Sequence, residues 1–419
     1  MISDITQERA ALCEAYEQNR RRTHLLFDLI APEAYEDRPI PLRHPFVFYE
    51  GHIPAFSFST LVRLALGGQA IDEELERLFE RGIDPENLSD AAAATPPRWP
   101  ARGEVQRFAE ECDARVRDAL RRARLDDPDN PRLVRAQSAH NIIEHEWMHH
   151  ETLLYIVHRL PRERKRALPS LHVDGERPRY RRVTVSAGTA TLGARRDAIP
   201  FGWDNEFEET VVTVPDFEID ADDVTNGDYL EFVKAGGEPP PFWRRIDGEW
   251  RLETLFDLIT LPLAWPVYVT QRQATAYAQW KGVRLPTEAE YHRAAFGTPQ
   301  GEERAHPWGD APPDETRGNF GFARFDPVPV GSYPKGASAW GINDLIGNGW
   351  EWTSTPFAPL PGFRPMASYP VYSADFFDGE HFVIKGASPV THAGLVRRSF
   401  RNWFRPDYPY VYATFRCVA

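Results

Sequence analysis

The positions of apolar and polar residues divide the chain into two parts. In the first part, apolar residues recur at intervals of three and four, which is the period of an amphipathic helix. This pattern predicts four long helices: about Thr6 to Ile30, from near Gly51 through the apolar run that follows, about Gly103 to Arg124, and from just after DDPDNP to about Arg159. A polar, proline-rich loop over Ser89 to Arg102 is predicted to precede the third helix. Four helices in so short a stretch favour an antiparallel bundle.

The pattern of apolar and polar residues changes near Pro169. From Tyr180 onward, short runs rich in β-branched residues alternate with clusters of Gly, Pro, Asn and Asp, which is typical of strands joined by turns. Only two stretches, NGDYLEFVKAG and TQRQATAYAQWKG, have helical spacing. The sequence therefore predicts an α+β protein with two domains, a helical bundle over residues 1–168 and a compact α+β domain over residues 176–419.

Composition narrows the class of protein. The net charge of -13 argues against nucleic-acid or anionic-membrane partners, because both repel an acidic surface. No run approaches the roughly 18 apolar residues of a membrane span, and MISDITQERAAL lacks a signal-peptide core. Cys13, Cys112 and Cys417 are too scattered for a disulfide framework or a thiolate metal site. We therefore expect a cytoplasmic protein in which any metal is held by histidines and carboxylates. We also expect a monomer.

Histidines in the second and fourth predicted helices are candidate metal ligands. His145 and His149 lie four residues apart in HNIIEHEWMHHE, a spacing that puts both imidazoles on one helix face. His52 lies in FYEGHIPAF, and three histidines from two helices would leave coordination positions open, as suits Fe(II). Zinc is the alternative, since three histidines and a water form its catalytic pattern. Glu151 could orient a ligand ring or contact a substrate. The alternative interpretation of the histidine pair is a solvated polar stripe on a surface helix, with no metal bound.

The same residues resemble a known family. The H-x3-H-x-E pattern of His145, His149 and Glu151, with the upstream pair Gly51 and His52, resembles the DinB-like bundle of the EgtB-like ergothioneine synthase family. The second half is similar to the formylglycine-generating-enzyme domain, a C-type-lectin-like scaffold. The similar stretches are FGWDNEF, VTNGDYLEFV, RLPTEAEYHRAA, GNGWEWTSTPF, VIKGAS and RRSFRNWFRP. They follow the family's order and span nearly the whole chain.

This resemblance implies an activity and a set of site residues. It implies an enzyme that uses Fe(II) and O2 to join sulfur to carbon 2 of a histidine-derived imidazole, with His52, His145 and His149 as the metal ligands. Formylglycine generation is not expected, because that activity uses cysteines and the second half contains only Cys417. The alternatives are a zinc-dependent thiol transferase and a non-enzymatic bundle fused to a lectin-like binding module.

The resemblance also places substrate-binding residues in the second half. Tyr369 and Tyr372, in ASYPVY, match family tyrosines by their Y-x-x-Y spacing, with Tyr369 implied as the proton donor and Tyr372 as a wall of the hercynine (trimethylhistidine) pocket. Asn402 and Trp403 match residues near the trimethylammonium group, which an aromatic face attracts. A structural aromatic cluster is the alternative interpretation for both tyrosines.

Three branches of the family differ in their substrates. Ergothioneine synthases join hercynine to a cysteinyl thiol, OvoA joins histidine to cysteine, and the selenoneine synthase SenA joins hercynine to a selenosugar. OvoA usually has a methyltransferase domain attached, and the 419 residues contain no such domain, so we expect a different branch, although FGWDNE and YPYVYATFR resemble OvoA sequences.

Four positions bear on which sulfur or selenium donor the enzyme uses. Met148 replaces the family glutamine that contacts the substrate imidazole, and Phe404 replaces an aspartate. Arg98 and Arg102, in PPRWPARGEV, are the nearest candidates for the arginines that grip the carboxylates of γ-glutamylcysteine. A pocket with fewer charged anchors suits a neutral sugar carrier better, so the resemblance favours the SenA branch with a selenosugar, or else a thiol, as donor.

Overall fold

A computed structural model describes residues 2–80, 98–169 and 172–419, with side chains from residue 7 onward. Most of the loop predicted over Ser89 to Arg102 lies outside these residues. Contacts divide the chain into two compact units. The first comprises Met1–Leu168 with the short segment Ala367–Tyr369, and the second comprises Pro169–Met366 with Pro370–Ala419.

The first unit is helical, as predicted. Its helices are α1 (Ile2–Phe27), α2 (Phe46–Ser57), which continues as a π-helical segment (Phe58–Ala65), α3 (Glu73–Leu78), α4 (Arg102–Arg122) and α5 (Gln137–His158). The predicted start of the second helix near Gly51 was wrong: Pro45 precedes the first turn, where a missing N–H costs nothing. The last helix begins later than predicted, because Arg135 and Ala136 have positive φ angles of 56° and 53°.

Apolar helix faces hold this unit together. Val105, Phe108, Val116 and Leu120 are all buried on α4. Helix α2 packs against α4, and α1 packs against α5 and α4. Burying each large apolar side chain contributes about 1.5–3 kcal/mol, so the stripe on α4 is a major source of stability. Among the described residues, no helix is both long and apolar enough to cross a membrane.

The second unit contains short strands and three helices. Its strands are β1 (Arg182–Val185), β2 (Gly188–Leu192), β3 (Thr210–Val214), β4 (Phe217–Asp220), β5 (Trp243–Ile246), β6 (Glu249–Glu253), β7 (Leu258–Thr260), β8 (Gly349–Pro356), β9 (Phe382–Ala387), β10 (Asn402–Phe404) and β11 (Ala413–Thr414). The largest sheet has the order β10-β9-β8-β11, and β11 runs parallel to β8. Smaller sheets pair β1 with β4, β2 with β3, and β5-β6-β7. The α+β class is confirmed.

The helices of the second unit are α6 (Asn226–Lys234), α7 (Gln271–Trp280) and α8 (Glu288–Phe296). The pattern predicted the first two and missed α8. The signal for α8 was its capping box, in which Thr287 Oγ1 accepts from the Glu290 N–H at 3.2 Å and Glu290 Oε2 accepts from the Thr287 N–H at 2.8 Å. Only a few apolar periods follow this start, too few for periodicity alone to reveal the helix.

Large aromatic side chains fill the second unit. The largest fully buried rings include Trp203, Trp265, Trp350 and Trp352. Strand β8 carries two of them from the GNGWEW stretch, and Glu351 between them pairs with the buried Arg416 at 2.6 Å. This internal framework holds the irregular loops of the unit in place.

Candidate metal centre

Three imidazoles from α2 and α5 meet at one place in the helical unit. One ligand nitrogen from each of His52, His145 and His149 lies within 4.8 Å of the others. The Nε2 atoms of His145 and His149 are 3.1 Å apart. Two imidazole nitrogens bound to one metal at right angles would be about 3.0 Å apart, given metal–nitrogen bonds of about 2.1 Å. The pair therefore fits adjacent coordination positions on a single ion.

Burial keeps these imidazoles in the form that binds a metal. Desolvation lowers the pKa of His52 to about 4, although hydrogen bonds to the backbone of Phe79 and Glu80 oppose it. Desolvation also lowers the pKa values of His145 and His149 well below the usual range, and the neighbouring imidazoles act in the same direction. All three rings are thus neutral near pH 7, and neutral imidazole is the ligand.

Neighbouring groups fix the orientation of the rings. His52 Nδ1 lies 2.9 Å from the Phe79 carbonyl oxygen, and because a carbonyl only accepts, this nitrogen carries the proton and Nε2 is left for a metal. The ring of His145 stacks on Phe56 with centroids 3.5 Å apart. Buried Nδ1 atoms of His145 and His149 have no hydrogen-bond partner among the described residues. The donor set of three neutral imidazoles with free nitrogens fits a transition-metal ion.

A buried charge network holds α5 to α1 and α4. The sequence did not predict it. Arg20 donates to Glu146 Oε1 at 2.6 Å and to Asp113 Oδ2 at 3.1 Å, and all three side chains are buried. Thr23 Oγ1 donates to Glu146 and also lies 2.8 Å from His150 Nε2. Burial alone would raise the pKa of Glu146, but Arg20 and these hydrogen bonds bring it down to about 2. The sequence signal for this network was the helical spacing of Glu146 and His150, next to the two candidate ligands His145 and His149.

Tyr369 lies beside His145, in the short segment Ala367–Tyr369 that belongs to the helical unit. Its ring centroid is 5.1 Å from that of Phe56 and 6.3 Å from that of His145. Ser368 Oγ accepts from Asn141 Nδ2 at 3.0 Å and donates to Gln137 Oε1 at 3.2 Å.

One stripe of α5 carries both the anchors of this segment and two candidate ligands. Gln137, Asn141, His145 and His149 are each four residues apart, so they lie along one face of the helix. This polar stripe was the signal in the sequence for Gln137 and Asn141, which were not among the predicted site residues. Glu151 lies beyond the stripe and accepts a hydrogen bond from Tyr155, one turn further along.

In the second unit, two of the residues predicted to bind hercynine, Tyr372 and Trp403, belong to an aromatic cluster, defined here as Trp203, Phe357, Tyr372, Phe376 and Trp403. Trp403 stacks on Phe357 with centroids 4.1 Å apart and meets Tyr372 edge-on at 5.4 Å. Phe376 lies 5.5 Å from Trp403. Tyr372 and Trp403 are half-buried, whereas Trp203 is fully buried. The cluster therefore presents aromatic rings that are only partly covered.

The remaining candidates have other surroundings. Asn402 Oδ1 accepts from the backbone N–H of Trp403 at 2.9 Å. Phe404 stacks on Tyr408 at 4.8 Å, away from Trp403, as expected because neighbouring strand residues point to opposite faces. Their roles in substrate binding stay predictions.

In the helical unit, Arg102 binds Glu50 at 3.0 Å and lies 4.7 Å from the ring centroid of Tyr35, so its charge is already engaged. Arg98 is exposed, and Met148 is half-buried on α5 beside His149. Their predicted part in donor binding stays a prediction as well.

Two family models match this chain. A sulfatase-modifying factor enzyme 1-like domain matches residues 171–419, and the DinB superfamily matches residues 15–153. Hercynine oxygenase from Mycolicibacterium thermoresistibile is 32% identical over 97% of this chain and 94% of its own length. Hercynine oxygenase from Mycobacterium tuberculosis is 37% identical over 64% of this chain and 67% of its own. Ergothioneine biosynthesis protein 1 from Neurospora crassa is 26% identical over 93% of this chain and 55% of its own.

These matches confirm the resemblance seen in the motifs. Both halves have their own family model, and one relative is similar along almost the entire chain. The chain therefore belongs to the EgtB-like family, which joins a DinB superfamily domain to a sulfatase-modifying factor enzyme 1-like domain and includes the hercynine oxygenases.

Proposed function

We propose that this enzyme uses Fe(II) and O2 to join a chalcogen donor to carbon 2 of the hercynine imidazole. The observation that carries the proposal is the group of three neutral imidazoles with Tyr369 beside it. Relatives named hercynine oxygenase support hercynine as the acceptor. In this reaction a donor R–XH, an imidazole C–H and O2 give R–X(O)–imidazole and water, so no further reductant is required.

Iron is the proposed metal because three imidazoles leave coordination positions open for O2 and substrate. His52, His145 and His149 would hold it, and bound iron would supply the site of O2 activation. Zinc does not activate O2, so the alternative, a zinc-dependent thiol transfer, would proceed equally well without oxygen. Turnover that requires both Fe(II) and O2 is the expected result, and equal anaerobic turnover would contradict it.

The chain's own residues have two further roles in this proposal. The phenol of Tyr369 would hold or deliver a proton close to the histidines, as its ring position supports. Trp403 and Tyr372 of the aromatic cluster would bind the trimethylammonium group of hercynine, because their faces attract a cation that is only weakly hydrated. Stacking of Trp403 on Phe357 fixes the indole plane before substrate arrives.

We expect hercynine to bind more tightly than histidine, by roughly 2- to 30-fold, which is the range of one cation–π contact. Trp403→Leu should remove most of this preference. Phe404→Leu is the matched control, since this neighbouring aromatic stacks on Tyr408 instead, and it should keep the preference. Calorimetry on the Fe(II)-loaded protein without oxygen measures both affinities. Equal affinity in the unaltered protein would favour a histidine-specific enzyme.

We further propose that the donor is a selenosugar. γ-Glutamylcysteine carries two carboxylates, which call for charge-assisted bonds from arginine. Arg102 is already paired with Glu50, and Met148 and Phe404 are apolar, which supports a donor without carboxylates. A selenol is also more acidic than a thiol, so more of it is anionic at neutral pH.

A competition assay tests the donor. With hercynine saturating and both donors present, the selenosugar product is expected to exceed the γ-glutamylcysteine product by at least about tenfold, which corresponds to one lost carboxylate–arginine interaction. Products are resolved by mass. A dominant γ-glutamylcysteine product would contradict the proposal of a selenosugar donor and would favour ergothioneine synthesis as the function. It would leave the iron proposal intact.

A further inference from the structure

Residues 366–373 form a short excursion of the chain. The chain leaves the second unit after Met366, contributes Ala367–Tyr369 to the helical unit, and returns to the second unit at Pro370. This segment carries Tyr369 beside the histidines and ends next to Tyr372 of the aromatic cluster. Its placement therefore determines where both tyrosines lie.

One carboxylate is bonded to both ends of this excursion. Asp204 is fully buried, and Ser373 Oγ donates to its Oδ1 at 2.5 Å. The backbone of Met366 also donates a hydrogen bond to this carboxylate. Burial raises the pKa of Asp204 to about 6, and the bonds from Ser373 and Met366 oppose that rise. A buried carboxylate with donors from both ends acts as a clasp on the segment.

The residue before Asp204 holds one of the tyrosines. The indole of Trp203 stacks on the ring of Tyr372, with centroids 3.9 Å apart and planes 25° apart. Trp203 is fully buried, and its backbone N–H donates to Glu206 Oε1 at 2.8 Å. Glu206 in turn is paired with Arg397 and accepts from Ser399 at 2.6 Å. The turn that carries Trp203 and Asp204 is thus anchored on its other side by separate bonds.

The middle of the excursion is held by α5. Ser368 is bonded to Gln137 and Asn141, on the same stripe as His145 and His149. Ser368 thereby holds its chain neighbour Tyr369 at the stripe that carries the candidate ligands, and the clasp at Asp204 holds the two ends of the segment. Loss of the clasp would release the ends and leave the histidines unchanged.

We infer that Trp203 and Asp204 are positioning residues, which hold the segment 366–373 so that Tyr369 and Tyr372 are set for catalysis. The roles of the two tyrosines rest on the proposed function, whereas the clasp itself rests only on the contacts within this chain. Neither Trp203 nor Asp204 needs to touch substrate for this role. The FGWDNEF stretch therefore acts through the segment that it holds.

Two serine variants test the inference. Ser373→Ala removes the donor to Asp204. Ser399→Ala is the matched control, because it removes a serine donor to the buried Glu206 of the same turn while Glu206 keeps its ion pair with Arg397. Amide hydrogen exchange in residues 366–373 is expected to become roughly five- to tenfold faster in Ser373→Ala and to be unchanged in Ser399→Ala. Asp204→Asn, which keeps an acceptor, is expected to fall between Ser373→Ala and the unaltered protein.

Turnover is measured on the same Fe(II)-loaded samples. In Ser373→Ala, kcat is expected to fall on the order of 10- to 100-fold, as for a catalytic group displaced by about an ångström, while iron stays at one per chain. Unchanged exchange in Ser373→Ala, or equal changes in both serine variants, would overturn the inference. Faster exchange with unaltered kcat would overturn the positioning role. Failure of the unaltered enzyme to use hercynine would instead refute the proposed function, and the exchange data would still report on the clasp.

Discussion

Replacing His145 or His149 with alanine is expected to weaken Fe(II) binding by at least about 100-fold and to abolish turnover, since two imidazoles cannot set the geometry of the site. Both residues lie on α5 with their Nε2 atoms 3.1 Å apart. The far-UV circular dichroism should be retained, because neither imidazole has a described hydrogen bond that supports the bundle. Metal content after Fe(II) loading and anaerobic gel filtration measures the effect.

His140→Ala is the matched control for this experiment. His140 is a histidine of the same helix, and its Nε2 lies 3.2 Å from Glu8 rather than near the other imidazoles. This variant is expected to bind one Fe(II) per chain, as the unaltered protein should. Stoichiometric iron in either His145→Ala or His149→Ala would show that the ion binds elsewhere.

The second large effect is expected on stability. Arg20→Met leaves the carboxylates of Glu146 and Asp113 buried without their cation, and breaking such a pair costs about 3–5 kcal/mol. The free energy of unfolding of the helical unit, followed by its circular dichroism in urea, should fall by that amount near pH 7. Because α5 carries both this network and the two histidines, weaker metal binding should accompany the loss.

The pH dependence of this loss follows from Glu146. Its pKa is lowered from 4.5 to about 2 in the folded protein, so the stabilisation is fully present above pH 4.5 and disappears as the pH falls toward 2. The difference between Arg20→Met and the unaltered protein should therefore narrow in acid. Arg117→Ala is the control, since it breaks a half-exposed pair with Glu17 between the same helices and should cost about 0–1 kcal/mol. Equal losses in the two variants would mean that burial does not strengthen the Arg20 network.

Local patterns were sufficient to predict the bundle. Helical periodicity repeats over many turns in the first part of the chain, so the long helices could be recognised, with errors confined to their ends. The start of α2 was misplaced because an apolar run such as FVFYE has no polar face to mark its period. In the second part the elements are short, and α8 was missed because its main signal was a capping box rather than a period.

The candidate metal site was predictable in part for the same local reason. The four-residue spacing of His145 and His149 dictates a shared helix face, whatever the rest of the chain does. That His52 should meet them was suggested by a bundle and by the family motif, and their ligand atoms do lie within 4.8 Å. Spacing carried no information about the tautomer of His52, which depends on the Phe79 carbonyl.

The sequence by itself therefore determined the helices, the two-part organisation and the residue types of the site, because each depends on neighbours within a few positions. Only the tertiary structure decided that Tyr369 lies beside His145, that Asp204 bonds to both ends of residues 366–373, and that the charge of Arg102 is taken by Glu50. These contacts join residues that are distant along the chain. Each polar side chain has many possible partners, and the packing of helices and loops selects the one that it contacts. Burial then makes each of these contacts costly to break.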